Sequence, residues 1–169
     1  GHWNDPDMLV VGRLGWGPHL HQTRLSKDEQ ITHITLWSLL SAPLLLGCDL
    51  TTLDEFTLAL LTNPEVIDID QDPLGKQAMR VLKIGKTEVW KKELWDETIA
   101  LGLFNRGELE ENISVKWSEL GLSGIQPVRD LWQRKNLGDF EQGLSVLVPK
   151  HGAVLLKVGK PKKTDFDGY

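Results

Sequence analysis

The hydrophobic period of this chain changes near residue 75, and that change most limits the folds it can adopt. Before it, apolar residues such as Ile31, Ile34 and Trp37 recur at helical spacing, and capping boxes begin at Ser26 and Thr52. After it, short β-rich runs are separated by turn residues. Such runs indicate an antiparallel sandwich or barrel.

The first region also contains one short, continuous apolar run, Leu44 to Cys48. Its length suits a strand buried on both faces, as in a parallel sheet. Pro43 ends the helix before this run, and Asn63-Pro64 ends the helix after it. Helix, buried strand and helix in succession are typical of a β/α protein.

The sequence therefore predicts an α/β region followed by an all-β region. We expect the first to span residues 1–75, an antiparallel β-sandwich to span 76–159, and a polar tail to follow at 160–169. A tight hairpin at His151-Gly152 is expected to join the last two strands. The strands expected late in the chain are Ile113 to Trp117, Val128 to Trp132, Leu144 to Val148 and Ala153 to Val158.

Composition excludes several function classes. The chain has 19 basic and 24 acidic residues and a net charge of −5, which argues against nucleic acid as a partner. No apolar run approaches the ~20 residues of a membrane helix, so no membrane partner is expected. The single cysteine, Cys48, allows no internal disulfide. No metal site is expected either, because His19 and His21 lack a third ligand at suitable spacing.

The densest local signal for chemistry is the segment Trp3 to Leu9, WNDPDML. In an extended segment, Asp5 and Asp7 point to one side, together with Trp3. Carboxylates beside an indole suit a sugar, since the acids bind ring hydroxyls and the indole covers the apolar face. The alternative is that Asp5-Pro6 begins a turn and that Asp7 caps a neighbouring group.

Tryptophan is unusually frequent, with seven residues against one tyrosine. Trp16 stands in the loop segment Gly15-Trp16-Gly17-Pro18, where it either faces a substrate or packs. Trp90 and Trp132 occur in predicted strands and are expected in the core.

Four segments, in order, resemble glycoside hydrolase family 27, the α-galactosidase family. Trp3 to Leu9 matches its WNDPDML motif, and residues 42–49 are similar to its APLLxGxD stretch. Residues 70–77 resemble its NQDPLGKQ segment, with Asp70 in place of the usual Asn. Residues 148–156 match the close of its C-terminal β-domain.

The resemblance implies the last two β/α units of a TIM-type (β/α)8 barrel followed by a β-sandwich. It implies a retaining glycosidase that releases terminal α-linked galactose from an oligosaccharide or glycan, without a metal or organic cofactor. The resemblance also implies that the parent protein is secreted or periplasmic. It implies nothing about the location of this chain itself. By residue match, Asp7 and Met8 line the sugar pocket, and Trp3 and Asp5 are their scaffold neighbours.

The chain departs from the family where catalysis is concerned. The family's nucleophile lies in a Lys-x-Asp motif, which the first half of this chain lacks. Its acid lies in Trp-Arg-x-x-x-Asp upstream of WNDPDML, whereas Arg24 and Asp28 lie downstream and follow Thr23. No catalytic residue is therefore assigned. The start at Gly1 without Met suggests part of a larger protein, so we expect the chain alone to be inactive and to need the N-terminal barrel portion as a partner.

Two alternatives remain open from the sequence. One is an autonomous carbohydrate-binding or structural β-module with a helical extension. The other is a family relative with a different sugar preference, such as an α-N-acetylgalactosaminidase or a β-L-arabinopyranosidase.

Overall fold

The computed structural model of the chain describes residues 2–162. Residues 163–169, most of the predicted polar tail, lie outside the described part. The helices are α1 (Lys27–Leu39), α2 (Glu55–Leu61) and α3 (Pro64–Asp70). The strands are β1 (Arg13–Leu14), β2 (His21–Gln22), β3 (Met79–Ile84), β4 (Thr87–Glu93), β5 (Ile99–Asn105), β6 (Glu111–Lys116), β7 (Gln126–Asp130), β8 (Lys135–Phe140), β9 (Gly143–Val148) and β10 (Ala153–Val158).

A six-stranded antiparallel sheet, in the order β3-β4-β5-β10-β7-β8, forms the middle layer of the molecule. The antiparallel pair β6-β9 packs on one of its faces through a shared apolar cluster. Helices α1 and α3 cover the opposite face through a second cluster. The predicted antiparallel sandwich is thus present, and one face of its larger sheet lies against the helices.

Strand β5 shows why the sheet carries a continuous apolar run. All seven of its residues are buried. Leu101 and Leu103 face the β6-β9 layer, whereas Ala100 and Phe104 face the helices. Between them, a Cβ on Gly102 would lie 2.4 Å from Leu39 Cδ1, so glycine is needed for the close approach of α1.

Helix starts are set by local side-chain caps. The predicted capping box at Ser26 is confirmed, because Ser26 Oγ accepts from Glu29 N at 3.2 Å and Glu29 Oε2 accepts from Ser26 N at 2.7 Å. The box predicted at Thr52 is wrong. Helix α2 is capped instead by Asp54, whose Oδ1 accepts from Thr57 N at 2.7 Å.

Two features of the β-region differ from prediction. The connection at His151-Gly152 is not a hairpin, because β9 pairs with β6 while β10 lies between β5 and β7. The chain crosses from one sheet to the other there. Strand β8 was not predicted, since it is a mostly exposed edge strand of polar composition.

The two segments expected to be neighbouring barrel strands run parallel and meet at one bridge between Leu9 and Leu46. Leu9 N donates to Leu45 O at 2.7 Å, and Gly47 N donates to Leu9 O at 3.1 Å. The prediction that this second segment is buried on both faces is wrong here, because Leu45 and Leu46 are 47% and 42% exposed. Within the described residues, no further strand covers them.

One buried cation joins the sheet to the helices. Lys92, on β4, is fully buried, and its Nζ donates to Ser38 O at 3.1 Å, to Ser41 Oγ at 2.7 Å and to Ile69 O. Ser38 and Ile69 lie in the last turns of α1 and α3, where the helix dipole favours positive charge. Burial lowers the pKa of Lys92, and the carboxylate of Asp70 opposes this shift.

We predict that Lys92→Ala lowers the free energy of unfolding by about 3–5 kcal/mol, because two buried carbonyls and a hydroxyl lose their charged donor. Lys92→Met keeps the apolar stem in place and should cost less than the alanine variant. Urea denaturation measures both. Lys83→Ala on the exposed edge strand is the matched control, with an expected change within about 0.5 kcal/mol. Equal losses of unfolding free energy for Lys92→Ala and Lys83→Ala would contradict the role of Lys92 in joining the sheet to the helices.

Candidate functional site

A cavity of about 310 Å³ opens beside the paired segments, where their parallel backbones end. We call it the strand-end cavity. In a (β/α)8 barrel, the carboxyl ends of the strands are where active sites are built. Its lining includes Met8, Trp16, Leu20, Leu46, Cys48 and Asp49.

Two of the predicted site residues, Met8 and Trp16, are brought together at this cavity. Met8 is 46% exposed and Trp16 is 86% exposed. Gly47 lies beside them, and a Cβ there would meet Leu9 O at 2.9 Å and Met8 Cβ at 3.2 Å. The glycine therefore allows the two segments and the methionine to approach closely.

Asp5 and Asp7 do not lie on an extended segment, so that prediction is wrong. Asp7 has φ +72°, in the left-handed region, and its N donates to Asp5 Oδ1 at 3.0 Å. Asp7 Oδ1 in turn accepts from Met8 N at 2.8 Å. This is the turn geometry of the alternative interpretation. Asp7 Oδ2 accepts no hydrogen bond from the described residues, and the side chain is exposed.

Trp3 acts on the scaffold, not on the cavity. Its Nε1 donates to Gly75 O at 2.8 Å, across 72 positions of sequence. This bond ties the WNDPDML segment to residues 70–77, the other specific segment of the resemblance. Of the predicted site residues, Trp3, Asp5 and Asp7 do not line the strand-end cavity, although Asp7 directly precedes the lining residue Met8.

Helix α1 holds the WNDPDML segment and the following Val10 through two side chains that were not predicted as site residues. Trp37 Nε1 donates to Asp7 O at 3.0 Å, and His33 Nε2 accepts from Val10 N at 3.1 Å. The two rings contact each other with centroids 3.9 Å apart. Their i, i+4 spacing, which places both on one helix face, is the sequence signal that could have identified them.

Asp49 is the carboxylate that lines the cavity within the described residues, and it lies outside the predicted site residues. Its Oδ1 accepts from Thr51 Oγ1 at 2.6 Å and Thr51 N at 2.9 Å, and its Oδ2 accepts from Thr52 Oγ1 at 3.1 Å. These bonds, chiefly that from the Thr51 hydroxyl, lower the pKa of Asp49. The neighbouring thiol of Cys48 has its pKa raised by burial.

The described residues contain no group of three or more side chains suited to holding a metal ion. His19 and His21 are both exposed, at the end of a short 3-10 turn and in β2. None of the helices formed by residues 2–162 combines the length and the hydrophobicity of a membrane-spanning segment.

Two family models match the chain in succession. A model described as alpha galactosidase A matches residues 1–72, and one described as alpha galactosidase C-terminal beta sandwich domain matches residues 84–158. Alpha-galactosidase 2 of Arabidopsis thaliana is 41% identical over 164 residues, which cover 96% of this chain and 39% of that protein. Alpha-N-acetylgalactosaminidase of Mus musculus is 44% identical over 107 residues, which cover 63% of this chain and 24% of that protein.

Solved structures share the same architecture. A GH27 β-L-arabinopyranosidase from Geobacillus stearothermophilus, in complex with arabinose, matches with a TM-score of 0.87 and 34% identity, over 94% of this chain and 38% of that one. Alpha-galactosidase I from Mortierella vinacea matches with a TM-score of 0.83 and 31% identity, over 95% and 41%. The predicted fold class is confirmed. The chain spans about two fifths of the length of these relatives.

The hydrogen bond from Val10 N makes the stability of this site depend on pH. Burial lowers the pKa of His33 below its ordinary value of 6.5, so folding favours the neutral ring, whose Nε2 accepts the bond. The stabilisation is fully present above pH of about 6.5 and is lost as the pH falls toward the lowered value.

We therefore expect His33→Gln to reduce the loss of stability between about pH 7.5 and pH 5.5, because glutamine does not titrate. Urea denaturation of both proteins at the two pH values measures the difference. His19→Gln, at an exposed histidine, should keep the wild-type dependence on pH. A His33→Gln protein with the same dependence as wild type would contradict this assignment.

Proposed function

The chain belongs to glycoside hydrolase family 27, the α-galactosidase family, and on this premise we propose that it is the C-terminal part of a retaining glycoside hydrolase that releases terminal α-linked galactose. The substrate is a galactose-containing oligosaccharide or glycan. Since the chain spans about two fifths of its relatives, the activity is proposed for the larger protein. The reaction requires carboxyl groups and no metal or organic cofactor.

The observation that assigns catalysis to the larger protein, and not to this chain alone, is the composition of the strand-end cavity. A retaining mechanism uses two carboxyl groups ~5–5.5 Å apart, one as nucleophile and one as acid and base. Among the described residues, Asp49 is the one carboxylate at the cavity, and the hydroxyls of Thr51 and Thr52 already donate to both of its oxygens. We infer that the chain alone is inactive. The N-terminal barrel portion of the same protein supplies both catalytic carboxylates and completes the cavity.

Three residues of this chain are proposed to contact the sugar. Asp7 offers Oδ2, which accepts no hydrogen bond from residues 2–162, to a ring hydroxyl. Met8 supplies an apolar, adaptable surface, and Trp16 supplies an exposed indole. Asp5 and Trp3 act indirectly, since one fixes the backbone of Asp7 and the other fixes the segment to Gly75.

We propose a boundary between the barrel part and the β-domain near residue 75, with the β-domain depending on the barrel part. Phe104, Leu131 and Leu155 of the β-region share one apolar cluster with residues of α1 and α3. Residues 76–159 on their own would expose this face and leave Lys92 without its helix partners. Both points favour a β-domain that packs on the barrel over an autonomous module.

We expect the purified 169-residue chain to release no p-nitrophenol from p-nitrophenyl α-galactoside above a blank. Addition or fusion of the upstream barrel portion encoded by the same gene should restore hydrolysis, because it brings the missing carboxylates. Hydrolysis by the chain alone, or no hydrolysis by the reassembled protein, would refute the proposal.

Asp7→Asn should lower kcat/KM of the reassembled protein by about tenfold or more, since a charged acceptor for the sugar is lost. Asparagine keeps an oxygen for the Met8 N–H and tolerates positive φ, so the turn is preserved. Asp139→Asn, at an exposed carboxylate on β8, is the matched control and should leave kcat/KM unchanged. An unchanged kcat/KM for Asp7→Asn would exclude the assigned contact.

The alternative sugar preferences are separable with the same reassembled protein. The names of the relatives include an α-N-acetylgalactosaminidase and a β-L-arabinopyranosidase. Comparing kcat/KM on the p-nitrophenyl derivatives of the three sugars identifies the preferred one. The highest value on α-galactoside supports the proposed activity.

A further inference from the structure

The seven tryptophans fall into two groups according to the indole N–H. The indole N–H of a tryptophan that packs in the structure usually donates a hydrogen bond to a nearby acceptor. Five do so here, and Trp90 and Trp132 also pack against the helix-side core as expected. The five donors and their acceptors are Trp3 to Gly75 O, Trp37 to Asp7 O, Trp90 to Glu88 Oε2, Trp117 to Phe140 O and Trp132 to Thr35 Oγ1.

The other two, Trp16 and Trp95, donate to no acceptor within residues 2–162, and both are exposed, at 86% and 44%. Each lines a cavity, and the two cavities share no lining residue. Trp16 lines the strand-end cavity described above. Trp95 lines a second, larger cavity of about 480 Å³.

This second cavity, which we call the hairpin cleft, lies where three parts of the fold meet. The turn between β4 and β5 supplies Trp95 and Asp96, the end of α3 supplies Asp68 and the following Asp72, and the sheet supplies Arg129 and Lys157. Its volume falls within the range of small-molecule sites.

Five of the six charged side chains of the hairpin cleft, all but Asp68, are held in place before any ligand arrives. Asp72 Oδ2 accepts from Trp95 N at 2.9 Å, which fixes the turn that carries the indole. Asp96 Oδ2 lies 2.6 Å from Lys157 Nζ. Arg129 makes two bonds of 2.6 Å to Glu65. A ligand therefore meets an ordered surface, and little side-chain entropy is lost on binding.

The charges of the cleft select against anionic ligands. Four carboxylates line it against two cations, and each cation already pairs with one of the carboxylates. An anion would face uncompensated negative charge. Asp68 makes no hydrogen bond or ion pair with the described residues, so its oxygens are open to hydroxyl donors.

We propose that the hairpin cleft is a second saccharide-binding site, distinct from the strand-end cavity, in which a neutral sugar packs on Trp95 and donates a hydroxyl to Asp68. An exposed indole beside fixed planar polar groups suits a ring with one apolar face and several hydroxyls. That the sugar is a galactoside rests on the proposed function. The site would hold a glycan substrate at a distance from the reacting bond.

The test uses the 169-residue chain labelled with 15N and titrated with methyl α-galactoside and with melibiose. The Trp95 indole N–H resonance is the one lost in Trp95→Phe. We expect this resonance to shift saturably, with a Kd on the order of 1–10 mM, because one ring and few hydrogen bonds are involved. Trp95→Ala, followed at the backbone amide of Asp96 because the indole is removed, should weaken binding at least about tenfold. Asp68→Asn, followed at the Trp95 indole, should weaken it several-fold.

Trp16→Ala is the matched control, because it removes the other free indole and should leave the Trp95 titration unchanged. The proposal is overturned if the Trp95 resonance does not shift with up to about 100 mM sugar, or if Trp95→Ala binds the sugar like wild type. It is also overturned if a charged peptide shifts the Trp95 resonance and neither sugar does. Shifts confined to the Trp16 indole would exclude this second site without contradicting the proposed function. A saturable Trp95 shift, in a protein whose reassembled form cleaves no galactoside, would support the second site and contradict the proposed function.

Discussion

The fold depends on one sheet that must bury both of its faces. Neighbouring residues on β10, Leu155 and Leu156, are both fully buried, yet they belong to different apolar clusters. The helices cover one cluster and the β6-β9 pair covers the other, so each layer is required by the middle one. Lys92 adds a charged link between the sheet and the ends of two helices. Its ammonium group donates to Ser38 O and Ile69 O, which fixes where α1 and α3 lie on the sheet.

This constraint reaches the strand-end cavity through α1. Because the sheet fixes the position of that helix, it also fixes Trp37 and His33, which hold Asp7 O and Val10 N. The shape of the cavity therefore depends on how α1 packs against the sheet, on the far side of the helix. The site is held rigid by this packing, so a change in the sheet would alter the position of Asp7.

Short sequence motifs predicted the features that depend on neighbouring residues, but they did not predict the features that depend on pairing between distant segments. The box at Ser26 was predictable because both of its partners are within three residues, whereas Thr52 met a competitor in Asp54. Strand β8 was missed because an exposed edge strand needs no apolar period. The conformation of Asp7 was missed because the turn is stabilised by a side chain, the carboxylate of Asp5, which accepts from Asp7 N. Likewise, a sequence gives the number of tryptophans but not which indoles lack an acceptor.

The left-handed backbone of Asp7 limits which residues can replace it. The proposed sugar contact needs a carboxylate close to the main chain, and the turn needs a φ of +72°. Glycine would relax the backbone and lose the acid, whereas glutamate would keep an acid and strain the backbone. Of the two acidic residues, aspartate is therefore the one that suits both the turn and the proposed contact.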